Sequence, residues 1–263
     1  MFIVAHRGFT EYGKYQENSF EAFQNAIDKG FNMIEIDIQL CKSGEIVINH
    51  SILFDGKPIK DINYNILKKR SNIKTLENFF KKIYTPELKL MFDIKDDDKN
   101  FFNMFIKLCN KYNVIYKNIY INSFFKTTVL KFKKNKQKYN YNVGFEVLSN
   151  YIYYKDFNKQ LKNIDFINVP SEFLFIKDKK ILNECKKKNI SIFIWNVPHN
   201  NLDFKYIKDL YNFDGIIADE KHYINTKKEK KYKNKTRRSI KKNNNKTKRN
   251  KNITQNISGF IYL

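Results

Sequence analysis

The junction between two strand-length apolar runs near the start of the chain limits the fold more than any other stretch. Met33–Leu40 and Ile46–Asn49 are separated only by Cys41-Lys42-Ser43-Gly44-Glu45. Parallel neighbours need a crossover of about a dozen residues or more, so these two runs predict an antiparallel hairpin. Other runs that read as strands are Phe2–Ala5, Leu88–Ile94, Asn118–Asn122, Asn142–Val147, Phe166–Val169, Ser191–Asn196 and Phe213–Ala218. Segments with a helical period lie between most of them: Ser19–Lys29, Lys99–Tyr112, Thr127–Lys136, Lys155–Lys162, Lys177–Lys188 and Leu202–Tyr211. Setting aside the return strand of the hairpin leaves eight parallel strands in a chain of 263 residues. The expected fold class is therefore α/β, a (β/α)8 TIM barrel with an antiparallel β-hairpin after strand 2 and a basic C-terminal tail. A doubly wound open sheet is the alternative. It is weakened because no Gly-rich phosphate turn follows the first strand.

Polar residues stand where a strand should be apolar. In Ile34-Glu35-Ile36-Asp37-Ile38, alternation puts both carboxylates on one face and the isoleucines on the other. In a barrel the isoleucine face meets the helices, so Glu35 and Asp37 point inward. Phe92-Asp93-Ile94-Lys95 repeats the pattern, with Asp93 and Lys95 sharing a face. Inward carboxylates repel one another and lose hydration unless a cation or proton compensates. Three of them with no thiol suit a hard divalent cation, Mg²⁺ or Ca²⁺. The structural alternative is a buried network in which they pair with Lys95 and Arg7. His6 ends the first strand and His50 ends the return strand, and imidazoles suit an acid–base pair at neutral pH. Arg7 and Lys95 supply fixed positive charge for a phosphate.

The charge is uneven. The chain carries +23, of which the stretch from Lys227 to Lys251 contributes +13 through fourteen basic residues and a single acid, Glu229. Tyr232 and Ile240 are its only large apolar side chains, so it cannot bury a core. The expected organisation is a barrel over residues 1–226 and a basic, disordered tail over 227–263. The tail would contact anionic lipid or nucleic acid, unless its composition only reflects a chain rich in Lys, Asn, Ile, Tyr and Phe throughout. Cys41, Cys109 and Cys185 are too few and too scattered for a disulfide framework. No run of 18 apolar residues occurs, and the N-terminus lacks a signal-peptide pattern. A cytoplasmic location is the expectation, which the tail could redirect.

The run Ala5-His6-Arg7-Gly8, then Glu17-Asn18-Ser19 opening a helix, then Glu35-Ile36-Asp37 and Val47-Ile48-Asn49-His50, resembles the glycerophosphodiester phosphodiesterase family in order and spacing. The resemblance continues through Thr75-Leu76-Glu77, Asp93-Ile94-Lys95, Asn122-Ser123-Phe124, Trp195-Asn196-Val197 and Asp214-Gly215-Ile216-Ile217-Ala218-Asp219. It covers residues 2 to about 222 and leaves out the basic tail. It implies a (β/α)8 barrel that cleaves a small-molecule phosphodiester or lysolipid. By it, His6 and His50 would be the acid/base pair, and Glu35, Asp37 and Asp93 would hold the divalent cation. Arg7 and Lys95 would grip the phosphate, Trp195 would line the substrate pocket, and Glu17 would support Arg7 or cap the following helix. The implied reaction is hydrolysis of a glycerophosphodiester to glycerol 3-phosphate and an alcohol. Two alternatives stand beside it: a lysophospholipase-D-like enzyme releasing a cyclic phosphate, and an inactive barrel kept as a basic binding module for nucleic acid or anionic lipid. This chain departs from the family in having Ser51 where Asp is usual, Asp93 where Glu is common, and Asn196-Val197-Pro198 after the tryptophan.

Overall fold

The computed structural model describes residues 1–147, 161–171, 180–195 and 213–219. Its parallel strands are β1 (Phe2–Ala5), β2 (Met33–Leu40), β3 (Leu90–Ile94), β4 (Ile119–Asn122), β5 (Asn142–Glu146), β6 (Phe166–Pro170), β7 (Ser191–Trp195) and β8 (Gly215–Ala218). Each pairs in parallel with its successor, and β8 pairs with β1, so the sheet closes on itself. The closure is the TIM barrel expected from the strand alternation. Ile46–Ile48 runs back antiparallel along the end of β2, in the register Ile38↔Ile48 and Leu40↔Ile46, and carries Lys74–Thr75 on its other side.

The helices described up to β5 are α1 (Phe20–Asp28), α2 (Tyr64–Arg70), α3 (Leu76–Lys82), α4 (Phe101–Lys111) and α5 (Lys126–Tyr139). A further helix, Lys180–Lys187, precedes β7. Ser19 caps α1 by accepting from the Ala22 amide, with Glu21 in the first turn. The small residues Ala22 and Ala26 on its buried face let it lie close to the barrel. Gly8, at φ +84°, uses that closeness, because a Cβ there would sit 2.8 Å from Ala22. The helix α2 was not expected. Its seven residues bury only Leu67, so they carry no periodic signal. It is held instead by tertiary packing of Leu67 with Cys41, Val47, Ile59 and Ile62. The expected helix Leu202–Tyr211 and most of Lys155–Lys162 lie outside the described residues, as does the basic tail. No described helix is long and apolar enough to cross a membrane.

The barrel interior changes character along its length. Val4, Met33, Met91, Phe166, Phe193 and Ile217 form a buried apolar cluster, joined by Phe2, Tyr120 and Trp195. Gly144 and Gly215 make room for it: a Cβ at either would meet the ring of Phe166 or Phe193 at 2.5 Å. Two residues further along the same strands, alternation returns to the interior at polar groups. His6 follows Val4, Glu35 follows Met33, Asp93 follows Met91, Asn122 follows Tyr120 and Asn168 follows Phe166. The C-terminal ends of the strands thus carry a polar layer on an apolar floor.

Candidate active site

The strand-end geometry begins with Arg7, whose backbone turns into the left-handed region at φ 53°. The turn aims its amide N–H at Glu35, which accepts it through Oε2 at 2.7 Å. The Arg7 side chain donates through Nη1 to Glu17 Oε2 at 2.9 Å and brings Nε within 3.2 Å of Asp37 Oδ2. Glu17 therefore supports Arg7, while the helix cap falls to Ser19. Asn18 Nδ2 donates to Asp37 Oδ2 at 2.8 Å, and Lys95 Nζ reaches Asp37 Oδ1 at 3.1 Å as well as Asp93. Asp37 is fully buried beneath these donors.

Glu35, Asp37 and Asp93 each present an oxygen within 4.8 Å of the other two. Burial raises the Glu35 carboxyl well above its ordinary value, helped by the charges of Asp37 and Asp93. Asp93 is pushed up to about 6, by burial first, with the Asp37 charge adding to it against the Lys95 charge. Burial alone would lower the Lys95 ammonium, but Asp93 and Asp37 outweigh it and raise it. The ion-pair network and the carboxylate cluster thus coexist. Asp93 Oδ1 is buried with no partner among the described residues.

His6 Nδ1 lies 2.6 Å from Asp219 Oδ1. Its backbone N–H donates to the Ala218 carbonyl, so the last residue of β8 holds the backbone and the residue after it meets the ring. His50 sits between Asn49 and Ser51, whose carbonyls both accept from Gln39 Nε2, at 2.9 and 2.8 Å. Ser51 Oγ donates to its own loop at Leu53. Burial lowers the His50 imidazole below its ordinary value, and the charges of Arg7 and Lys95 do so further, against the pull of Asp37.

A cavity of about 320 Å³ at this end of the barrel is lined by His6, Arg7, Glu35, His50, Asp93, Lys95 and Trp195. The eighth expected residue, Asp37, does not line the cavity but is ion-paired with Arg7 and Lys95, which do. Asn122, Glu146, Asn168 and Asp219 also line the cavity. The strand alternation that exposed Glu35 and Asp93 applies equally to Glu146 and Asn168, each a polar residue inside an apolar run. Asp219 beside His6 and Gln39 beneath His50 had no such signal, because their roles are contacts made across the fold. His199 and His222 lie outside the described residues.

The model of the glycerophosphoryl diester phosphodiesterase family matches residues 6–222. The chain is 38% identical over 72 residues to a glycerophosphodiester phosphodiesterase of Bacillus altitudinis, a stretch of 26% of this chain and 29% of that protein. It spans less than half the length of the first curated relatives it matches. Among solved structures, the glycerophosphodiester phosphodiesterase of Thermotoga maritima is similar with a TM-score of 0.68 at 25% identity, covering 84% of this chain and 95% of that one. An Oleispira antarctica phosphodiesterase, solved in complex with the product sn-glycerol-3-phosphate, shares the fold with a TM-score of 0.67 at 16% identity, covering 85% and 95%.

Proposed function

The chain belongs to the glycerophosphoryl diester phosphodiesterase family, and from that premise we propose that it is a metal-dependent phosphodiesterase that hydrolyses glycerophosphodiesters to glycerol 3-phosphate and an alcohol. The observation that carries this reading is convergence. Seven of the expected residues open on one cavity, and three carboxylates present oxygens within 4.8 Å of one another beside it.

The residues fit a hard divalent cation, Mg²⁺ or Ca²⁺. Glu35, Asp37 and Asp93 offer only oxygen donors, and Asp93 Oδ1, buried with no partner among the described residues, is free to act as a ligand atom. When bound there, the cation supplies neutralising charge to the oxygens of the phosphoryl group. Arg7 and Lys95 bring two further positive charges, already oriented by Glu17, Asp37 and Asp93, to hold the nonbridging oxygens. His50, kept below its ordinary value by burial, is unprotonated at neutral pH and removes the proton from an attacking water, whose oxygen bonds to phosphorus as the bond to the leaving alcohol breaks. His6, with Asp219 at 2.6 Å from Nδ1, holds a proton there and gives one from Nε2 to the departing alkoxide. Trp195 walls the cavity beside them. Residues 1–226 form the catalytic body in this reading, and the basic stretch 227–263 stands outside it.

Release of glycerol 3-phosphate from a panel of glycerophosphodiesters tests the reading. Chelation should abolish release and added Mg²⁺ or Ca²⁺ restore it. His6→Ala and His50→Ala should each lower kcat by about a hundredfold to ten-thousandfold. Turnover that survives both substitutions removes the assignment.

A further inference from the structure

The chemistry proposed above uses side chains that open on the barrel mouth and leaves the rim around it without a task. Eight large apolar side chains stay exposed among the described residues, and five of them fall on three loops at this end. Tyr12 lies on the loop from β1 to α1, Ile52 and Leu53 follow the return strand of the hairpin, and Phe124 and Phe125 join β4 to α5. The loops leave their strands at His6, His50 and Asn122, all of which line the cavity. Phe124 lines it too, with Lys95 Nζ 5.6 Å from its ring centroid. Gln39, one alternation beyond Asp37 on β2, holds the second loop there by donating to the carbonyls of Asn49 and Ser51.

Local structure does not account for these side chains. Ile52 is 52% exposed, Leu53 47%, Phe124 42% and Phe125 36%, so none serves the core. Phe125 stands at the N-cap of α5 and makes no side-chain bond there, although Ser, Thr, Asn or Asp at that position would accept an amide. Charge on the same loops is balanced. Over residues 8–18, 51–63 and 123–126, Lys14, Lys57, Lys60 and Lys126 stand against Glu11, Glu17, Asp55 and Asp61. The loop after β3 adds exposed Asp97 and Asp98, which an anionic surface would repel. Apolar tips on a rim without excess positive charge are the complement of a zwitterionic headgroup layer, where aromatic and branched side chains enter the boundary between headgroups and acyl chains. A lipid layer deforms around separate tips, whereas a stable protein partner needs about 1,000 Å² of matched surface.

We infer that this rim docks onto a zwitterionic phospholipid surface, with Ile52, Leu53, Phe124 and Phe125 entering the headgroup region while the cavity mouth faces the lipid. The surface is distinct from the basic stretch 227–263, whose attraction would be for anionic lipid and would weaken with salt. It does not depend on the phosphodiesterase reading, since attachment requires no turnover.

Co-sedimentation of the full chain with phosphatidylcholine vesicles tests the inference, because these vesicles carry no net charge for the basic stretch to seek. The wild-type protein should partition onto them, with a coefficient that changes by less than about twofold between low and high salt. The pair Ile52→Ser with Leu53→Ser, and separately Phe125→Ser, should each lower the coefficient by about fivefold or more. Leu130→Ser, which exchanges a comparably exposed side chain on α5 away from the rim, should leave it unchanged. All the variants should keep the wild-type urea midpoint, since the exchanged side chains are exposed. The two rim variants act on different loops, so a folding defect in one leaves the other to decide. No partition of the wild type, partition that the folded rim variants retain, or partition that high salt removes overturns the inference. Rim variants that split a dimer while keeping their hold on the vesicles also overturn it, and make the rim an interface between copies of the chain.

Discussion

A carboxyl group buried in the wall of a barrel needs compensation, and among the described residues Glu146 receives two amide donors. Burial, reinforced by the charge of Asp93, pushes it up to about 8, against about 4.3 in an unfolded chain. The native state therefore keeps a proton that the unfolded state has released over the intervening range. Stability should fall as pH rises from about 5 to 8, because the folded form binds more protons throughout that window. Glu146→Gln removes the titration while keeping the acceptor for Asn122 and Asn168. Urea unfolding of the metal-free protein at pH 5 and pH 8 should give a smaller difference for the variant, by on the order of a few kcal/mol at most. An unchanged difference would mean that Glu146 does not titrate as its surroundings require. Glu35, Asp37 and Asp93 were legible in the sequence because an acidic residue inside an alternating apolar run has few explanations. Glu146 and Asn168 met the same criterion, whereas Gln39 and Asp219 did not. Their meaning lies in His50 and His6, which are near them only once the chain has folded.

At the scale of elements, the strands were legible to within one or two residues at each end, since β-branched and aromatic runs of this length have little else to do in a chain with so few turns. The hairpin after β2 followed from a five-residue junction too short for a crossover. The helix α2 was illegible for the opposite reason: its buried contacts come from residues outside it, at Cys41, Val47, Ile59 and Ile62, so its own sequence has no apolar stripe. Packing is tight between neighbours β5 and β6, where Gly144 faces Phe166. Gly144→Ala would place a methyl 2.5 Å from that ring and from the Phe166 carbonyl oxygen. Overpacking of this kind costs about 1–3 kcal/mol, to be read as a lower urea midpoint with an unchanged slope. At the other face of the barrel, Ser19→Ala removes the bond to the Ala22 amide and should cost about 1 kcal/mol. Its effect on turnover should be small, because Glu17 and Asn18, not Ser19, contact Arg7 and Asp37.

For the whole molecule, charge and chemistry are unevenly divided along the chain. Every residue given a role in the reaction lies between His6 and Asp219, whereas +13 of the +23 net charge falls between Lys227 and Lys251. A chain ending at Thr226 should therefore retain its kcat/KM on a soluble glycerophosphodiester, and should lose most of any salt-sensitive attachment to anionic vesicles. Loss of both together would contradict the division into a catalytic body and a basic extension. The barrel itself imposes a different dependence. Its first strand takes one partner from Met33–Ile34 and the other from Gly215–Ala218, and His6 meets a carboxylate 213 residues away. At roughly 5–20 residues per second, a ribosome needs on the order of ten to forty seconds to deliver that second partner. Throughout that interval one flank of β1 offers unpaired amides and carbonyls, the condition under which strands join the wrong neighbour. The yield of correctly closed barrels is thus tied to the tempo of translation, a quantity that leaves no trace in the finished molecule.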